Sequence, residues 1–411
     1  MNWEVIRQRV LLEESVINLN CGSFGPTWKS AHHQAAELRN VLASAPMDFF
    51  LRMVPERLEG ARKGLAKWVN HPWSRLFFTG NVSLAINLVA KSLMKNGFRG
   101  AVLLTNLEYG CMRWCWESFC ASSGAELRVV ELPKFPKSPD EILDAFCEKL
   151  TSSVKILFFS HIISATGMIL PAREICAMAK DRGILSVVDG AHGPGHLNLD
   201  LASIGANAYC ANLHKWLGVP AGSGMVAFDD ALMERLDPLS ISWGYQGYCK
   251  QPPDWNGVPL DSPDQWGGTP RLRRLEFQGT QDVCPWLATA AALVEWDAIG
   301  PEKIYSRQRF LSDYTRRVMS DKGYRSWTPE MPEMHGAMTA WELPDNWQLE
   351  AVRNWLRQKY QMEVGLNRLP NGELLLRISN HFFTRESEID VLVRALAKPM
   401  AELDAAVGEF S

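Results

Sequence analysis

Between about residues 74 and 228 the sequence alternates short apolar runs with longer stretches of helical periodicity, and few folds accept a chain patterned that way. Residues 76–78, 101–104, 127–132, 156–159, 184–188, 208–210 and 224–228 read as strands. Residues 83–96, 112–121, 139–150, 171–182 and 200–204 read as the helices between them. Runs such as Ile-Leu-Phe-Phe (156–159) do not alternate in polarity, so these strands are buried on both faces, which implies a mostly parallel sheet covered by helices. The fold class is therefore α/β.

After Phe228 the texture changes. A stretch from about 238 to 280, rich in Pro and Gly and carrying Trp243, Trp255 and Trp266, is expected to be irregular, and such segments in compact proteins usually serve function. Its aromatics would line an access channel for a bulky substrate or form a satellite core. From about 295 onward, helices at 301–322, 347–360 and 386–407 mix with strands at 337–342 and 374–378, giving a second, α+β domain. We divide the chain into an N-terminal segment, 1–60, packing on the domains, a large domain, 61–290, and a small C-terminal domain, 291–411.

Composition narrows the function classes. In 411 residues, Lys+Arg total 43 against Asp+Glu 46, a net charge of −3. That balance gives no basic excess for nucleic acid or an anionic membrane. The longest charge-free stretch, 156–172, holds His161, Ser160, Ser164, Thr166, Gly167 and Pro171, unlike a membrane span. The N-terminus carries charges where a secretion signal needs an apolar core, so a cytoplasmic location is expected. Nine Cys without a CxxC pair suggest small buried residues rather than a metal site.

In an open parallel sheet, ligands sit at the carboxyl ends of the strands. Five such ends are polar: Thr79-Gly80-Asn81-Val82-Ser83, Asn106-Leu107-Glu108-Tyr109, 160–167, Asp189-Gly190-Ala191-His192 and Asn212-Leu213-His214-Lys215. A carboxylate directly after Ser-Val-Val at the end of a buried strand needs a cationic partner. Asp189 with Lys215 at the same edge is the pair a pyridoxal phosphate site asks for: one residue keeps the pyridine nitrogen protonated and the other forms an imine with C4′. The segment 80–83 at a helix N-terminus suits a phosphate. Tyr109 would stack on the ring and His192 would reach its phenolic oxygen.

These residues resemble the class V aminotransferase superfamily of fold-type I pyridoxal-phosphate enzymes, and within it the isopenicillin N epimerase-like branch. The motif Asn18-Leu19-Asn20-Cys21-Gly22-Ser23-Phe24-Gly25-Pro26 is similar to that branch's N-terminal "LNxGSFG". Ser164-Ala165-Thr166-Gly167, Asp189-Gly190-Ala191-His192, Asn212-Leu213-His214-Lys215-Trp216, Glu276-Phe277-Gln278-Gly279-Thr280 and Leu376-Arg377-Ile378-Ser379 follow in the same order. The resemblance implies a large domain built on a mostly parallel seven-stranded sheet. It implies Lys215 as imine-forming lysine and proton shuttle, and Asp189 and Tyr109 as its catalytic companions. Asn81, Val82, Ser83, Ser164, His192, Asn212 and His214 would hold the cofactor, joined by Gly279 and Thr280 of a neighbouring subunit, so that a homodimer shares its active sites. Arg377, with Asn20 and Ser23, would bind the carboxylate of a small-molecule amino substrate.

Three departures bear on the substrate. Val82 stands where the superfamily often has Thr, Leu107 where this branch often has His, and His381-Phe382-Phe383 where "HFY" is common. Cysteine desulfurases of the superfamily carry a Cys shortly before the carboxylate-binding Arg, and no Cys follows Cys284 here. The resemblance therefore implies proton chemistry at Cα, as in an epimerase or racemase, with a C–S lyase acting by β-elimination, or an aminotransferase, as alternatives. Inversion needs a second acid/base opposite Lys215, for which Tyr109, His161 and His381 are candidates.

Overall fold

A computed structural model describes residues 1–95, 98–248 and 259–397; Trp255, Cys249 and the end of the expected helix 386–407 lie outside them. Eleven strands are described: β1 (Ile17–Leu19), β2 (Leu76–Thr79), β3 (Ala101–Thr105), β4 (Glu126–Val130), β5 (Val154–Ser160), β6 (Leu185–Asp189), β7 (Ala208–Asn212), β8 (Gly224–Phe228), β9 (Met338–Leu343), β10 (Met362–Arg368) and β11 (Leu374–Ser379). Seven of them form one sheet in the order β2-β8-β7-β6-β5-β3-β4. Only β8 runs against its neighbours, so the sheet is mostly parallel, as expected.

Burial on both faces is literal in β5. Leu157 and Phe159 join one apolar core, and Ile156 and Phe158 join the other. That explains a run with no polar alternation, since both sides of the strand meet helices. The helices between strands fall close to their expected bounds: Val82–Leu93, Gly110–Ser123, Pro139–Lys149, Ala172–Asp181 and Leu201–Ile204. Gly124 ends the second of these in the left-handed conformation (φ 72°), the geometry a glycine tolerates without strain.

The second sheet has the order β1-β10-β11-β9 and its own core around Trp341, Leu356 and Ile389. Two of its strands escape a periodicity reading. β1 is three residues long, and β10 carries Glu363, Asn367 and Arg368, so neither presents an apolar run. β1 pairs in parallel with β10, from Ile17 beside Met362 to Leu19 beside Val364, which ties the N-terminal segment to the C-terminal sheet. The stretch expected to be irregular contains the helix Pro270–Glu276, whose start is capped by the Thr269 hydroxyl accepting from Leu272 N–H at 3.2 Å. No helix among the described residues is long and apolar enough to cross a membrane.

Candidate active site

The strand order brings the carboxyl ends of β2, β3, β5, β6 and β7 to one edge, with the start of the antiparallel β8 between β2 and β7. Gly224 faces both Thr79 and Asn212 in the register. A Cβ at Gly224 would meet Ala211 O at 2.9 Å and Asn81 Cα at 3.0 Å, so glycine lets Asn81 and Asn212 close together. There the helix Val82–Leu93 begins. Asn81 Oδ1 accepts from Leu84 N–H at 2.9 Å, and Asn212 Oδ1 accepts from Val82 N–H at 2.9 Å. These two caps leave the Ser83 N–H and hydroxyl in the first turn without a protein partner among the described residues, at the positive end of a 12-residue helix.

Asp189 closes β6 beside Ser160 of β5 and Cys210 of β7. Its Oδ1 accepts from Ala191 N–H at 2.8 Å. Burial pushes its carboxyl up to about 6, against the opposing pull of the Ala191 amide and of Lys215. No ion pair joins Asp189 to Lys215 among the described residues. Lys215 follows β7 in a turn held by His214, whose Nδ1 donates to Ser223 O at 3.0 Å. Desolvation, reinforced by Arg377, brings the Lys215 amine down to about 8, with Asp189 opposing. Its backbone is packed by the N-terminal motif: a Cβ on Gly25 would sit 1.6 Å from Lys215 O.

His192 is buried, and its pKa lies well below the ordinary value because burial disfavours the cation, with Lys215 and Arg377 adding to the effect. Trp216 Nε1 donates to His192 Nδ1 at 3.2 Å, so a neutral ring carries its hydrogen on Nε2. That buried Nε2 has no partner among the described residues. It is a donor waiting for an acceptor.

Arg377 of β11 is 3% exposed. It donates to Ser164 O at 2.7 Å and Ser164 Oγ at 3.2 Å, to Asn20 Oδ1 at 2.8 Å and to Ser23 Oγ at 2.9 Å. Two segments distant in the chain, around residues 20–23 and at Ser164, thus converge on one guanidinium. Glycines make the room: a Cβ on Gly365 would lie 2.9 Å from Arg377 Nε, and one on Gly22 3.2 Å from Arg377 Cζ. No carboxylate pairs with this cation among the described residues, its Nε is buried without a partner, and burial lowers its pKa to about 10. Tyr109, 52% exposed, precedes the helix Gly110–Ser123; burial is the main cause of its raised pKa, the hydrogen-bonded Cys111 side chain comes next, and Arg377 opposes the rise while Asp189 adds to it.

Not every expected residue joins this edge. Gly279 and Thr280 share no hydrogen bond with it among the described residues. Thr280 is exposed and lines a separate apolar cavity of about 300 Å³ with Trp243, Trp266 and Trp286. Two candidate second bases are already committed. His381 Nε2 donates to Trp216 O at 2.8 Å, and its Nδ1 accepts from Phe382 N–H at 2.9 Å. His161 Nδ1 meets the Tyr209 hydroxyl at 3.0 Å inside the core, and burial lowers its pKa to about 4. The residue whose importance the sequence understated is Glu108, a partly buried carboxyl pushed up to about 7 by desolvation. The available signal was an acidic residue directly after the apolar run of β3. Among the described residues no cluster of His, Cys, Asp or Glu could hold a metal ion.

The Aminotransferase class-V family model matches residues 50–364, and the chain belongs to that family. Within it, the chain is 42% identical over 409 residues to an isopenicillin N epimerase of Streptomyces clavuligerus, covering 99% of each chain, and 38% identical to one of Amycolatopsis lactamdurans, covering 96% and 98%. Among solved structures it is similar to a cysteine desulfurase from Thermococcus onnurineus NA1, with a TM-score of 0.79 at 19% identity over 96% of both chains. It is likewise similar to the cystine C–S lyase C-DES, with a TM-score of 0.79 at 19% identity over 93% and 97%. These structures share the fold.

Proposed function

We propose that the chain is a pyridoxal-phosphate-dependent enzyme acting at Cα of an amino-acid substrate, an epimerase of the isopenicillin N epimerase kind. The observation that carries the reading is the edge where Asp189, His192, Lys215 and the unpaired Arg377 converge, together with full-length similarity to two isopenicillin N epimerases. The residues fit the cofactor. A buried carboxyl without a cation, a buried Nε2–H without an acceptor, a desolvated amine and an unclaimed N–H and hydroxyl at Ser83 match a pyridinium, a phenolic oxygen, an aldehyde and a phosphate in turn. Bound there, pyridoxal phosphate supplies an electron sink for the bonds at Cα.

The chain's own residues divide the work. Asp189 would keep the nitrogen of a bound ring protonated, and His192 Nε2–H would donate to its phenolic oxygen. Asn81, Val82 and Asn212 shape the helix start that offers the Ser83 amide and hydroxyl to the phosphate. His214 approaches as a neutral ring, with Nδ1–H held by Ser223 O. Arg377, oriented by Asn20, Ser23 and Ser164, takes the α-carboxylate. Lys215, partly unprotonated near neutrality, removes and returns the Cα proton on one face. With His161 and His381 committed elsewhere, Tyr109 is the acid/base for the other face. The same reading includes a homodimer in which Gly279 and Thr280 of the partner subunit would reach the phosphate. β-Elimination is the competing chemistry, because Lys215 alone suffices for it.

The test is an absorbance spectrum of the protein and of Lys215→Ala with added pyridoxal phosphate, followed by a panel of amino acids, tripeptides and cysteine conjugates scored for chirality, keto acid and sulfur release. A visible band absent from the variant, with inversion of configuration, supports the epimerase. Sulfur release without inversion transfers the assignment to a lyase, and no band at all removes the cofactor.

A further inference from the structure

At the end of β3 the chain holds a second, partly buried carboxyl that the proposed chemistry leaves unused. Glu108 Oε1 accepts from the Thr105 hydroxyl at 2.6 Å and from Ser160 N–H at 3.3 Å, and Oε2 accepts from the Ser160 hydroxyl at 2.6 Å. No cation forms an ion pair with it among the described residues. Ser160 lies opposite Asp189 in the parallel register of β5 and β6, so the Glu108 bridge ends one strand away from the carboxyl that would meet the ring nitrogen. The next residue in the chain is Tyr109.

Taking a carboxylate even partly out of water is costly unless it is paired, and three neutral donors offset only part of that cost. Desolvation accordingly pushes Glu108 up to about 7, and the negative charge of Asp189 acts in the same direction while the Ser160 and Thr105 hydrogen bonds oppose it. A Gln could make most of these contacts without a charge. What a carboxyl adds is a proton that leaves near neutral pH, at the edge where a cation is to be held.

We propose that Glu108 is a positioning residue for the cofactor ring: its bridge to Ser160 fixes the Tyr109 turn beside Asp189, and its ionised form adds a second negative charge that favours the protonated ring. The charged group facing it across the strands is Asp189 on β6, and Tyr109 adjoins it in the chain. Lys215 acts on Asp189, and Arg377 acts on Tyr109. The inference rests on the pyridoxal phosphate reading of the site.

Two variants separate its parts. Glu108→Gln keeps the shape and removes the charge; Glu108→Ala removes the bridge. For each, the pyridoxal phosphate affinity of the apo-protein, the pH midpoint of the visible band and the apo melting temperature are measured. We expect Glu108→Ala to weaken cofactor binding about tenfold or more. We expect Glu108→Gln to bind within about threefold of wild type while its midpoint falls by about half a unit or more, since losing a negative charge disfavours the protonated form. An unmoved midpoint in Glu108→Gln, with unchanged affinity in Glu108→Ala, overturns the proposal, whatever the melting temperatures do. If Glu108→Ala fails to fold, the Glu108→Gln midpoint decides alone. A wild-type protein without any visible band sinks the cofactor reading itself, whereas a normal wild-type band with unresponsive variants sinks only Glu108.

Discussion

Asp189 and Arg377 illustrate opposite charges kept apart for a ligand that brings its own. Asp189, raised from 3.8 to about 6, binds its proton more tightly folded than unfolded. Its contribution is present at low pH and is lost as pH rises through about 6, costing about 3 kcal/mol above it at 1.36 kcal/mol per unit. Asp189→Asn should therefore stabilise the apo-protein at pH 8 and lose that advantage by pH 4; equal denaturation midpoints at both pH values would refute the buried, unpaired carboxyl. The comparison must be a difference between variant and wild type, because His161 and His381, both lowered to about 4, pull the other way. At Arg377 the argument concerns geometry. A lysine cannot engage Ser164, Asn20, Ser23 and a carboxylate together, so Arg377→Lys should raise KM for an amino acid about 30- to 100-fold, with the cofactor band intact.

At the scale of elements, the site is a set of strand ends held in register by side chains reaching across them. Asn212, the last residue of β7, accepts the first amide of the helix Val82–Leu93 and so joins two elements 130 positions apart in the chain. Asn212→Ala should cost about 1–2 kcal/mol in denaturant unfolding of the apo-protein and also weaken cofactor binding; a stability loss with unaltered binding would make the cap purely structural. These strand ends were legible in the sequence because an apolar run stops abruptly at a polar residue: Thr79, Asp189 and Asn212 each end their strands as that break predicts. β1 and β10 were not legible, since a three-residue strand and one with polar residues along it gain their structure from pairing with each other and with β11. The fates of His161 and His381 were hidden for a related reason. Their partners, Tyr209 and the Trp216 carbonyl, are 48 and 165 positions away, and no local pattern announces them. The Arg377 cluster, drawn from residues 20, 23, 164 and 377, came within reach through the motif resemblance rather than through periodicity.

Across the whole molecule, the chain leaves Phe24, Tyr109, Trp114, Ile241 and Trp243 more than half exposed, and the proposed homodimer is open to test. Thr280 is exposed and belongs to a different cavity from the Asp189 edge, which is the arrangement expected if it serves the partner's site rather than its own. Complementation distinguishes the two. Lys215→Ala removes the amine, and Thr280→Glu sets a negative charge against a phosphate, so each homodimer should be inactive. In a mixed dimer the site built around the intact Lys215 receives its Thr280 from the other chain, and is whole; the second site carries both defects. Random reassortment makes about half the dimers mixed, each with one working site, so co-refolded protein should recover about a quarter of wild-type activity. If Thr280 acted within its own chain, every site in the mixture would carry one defect and no activity would return.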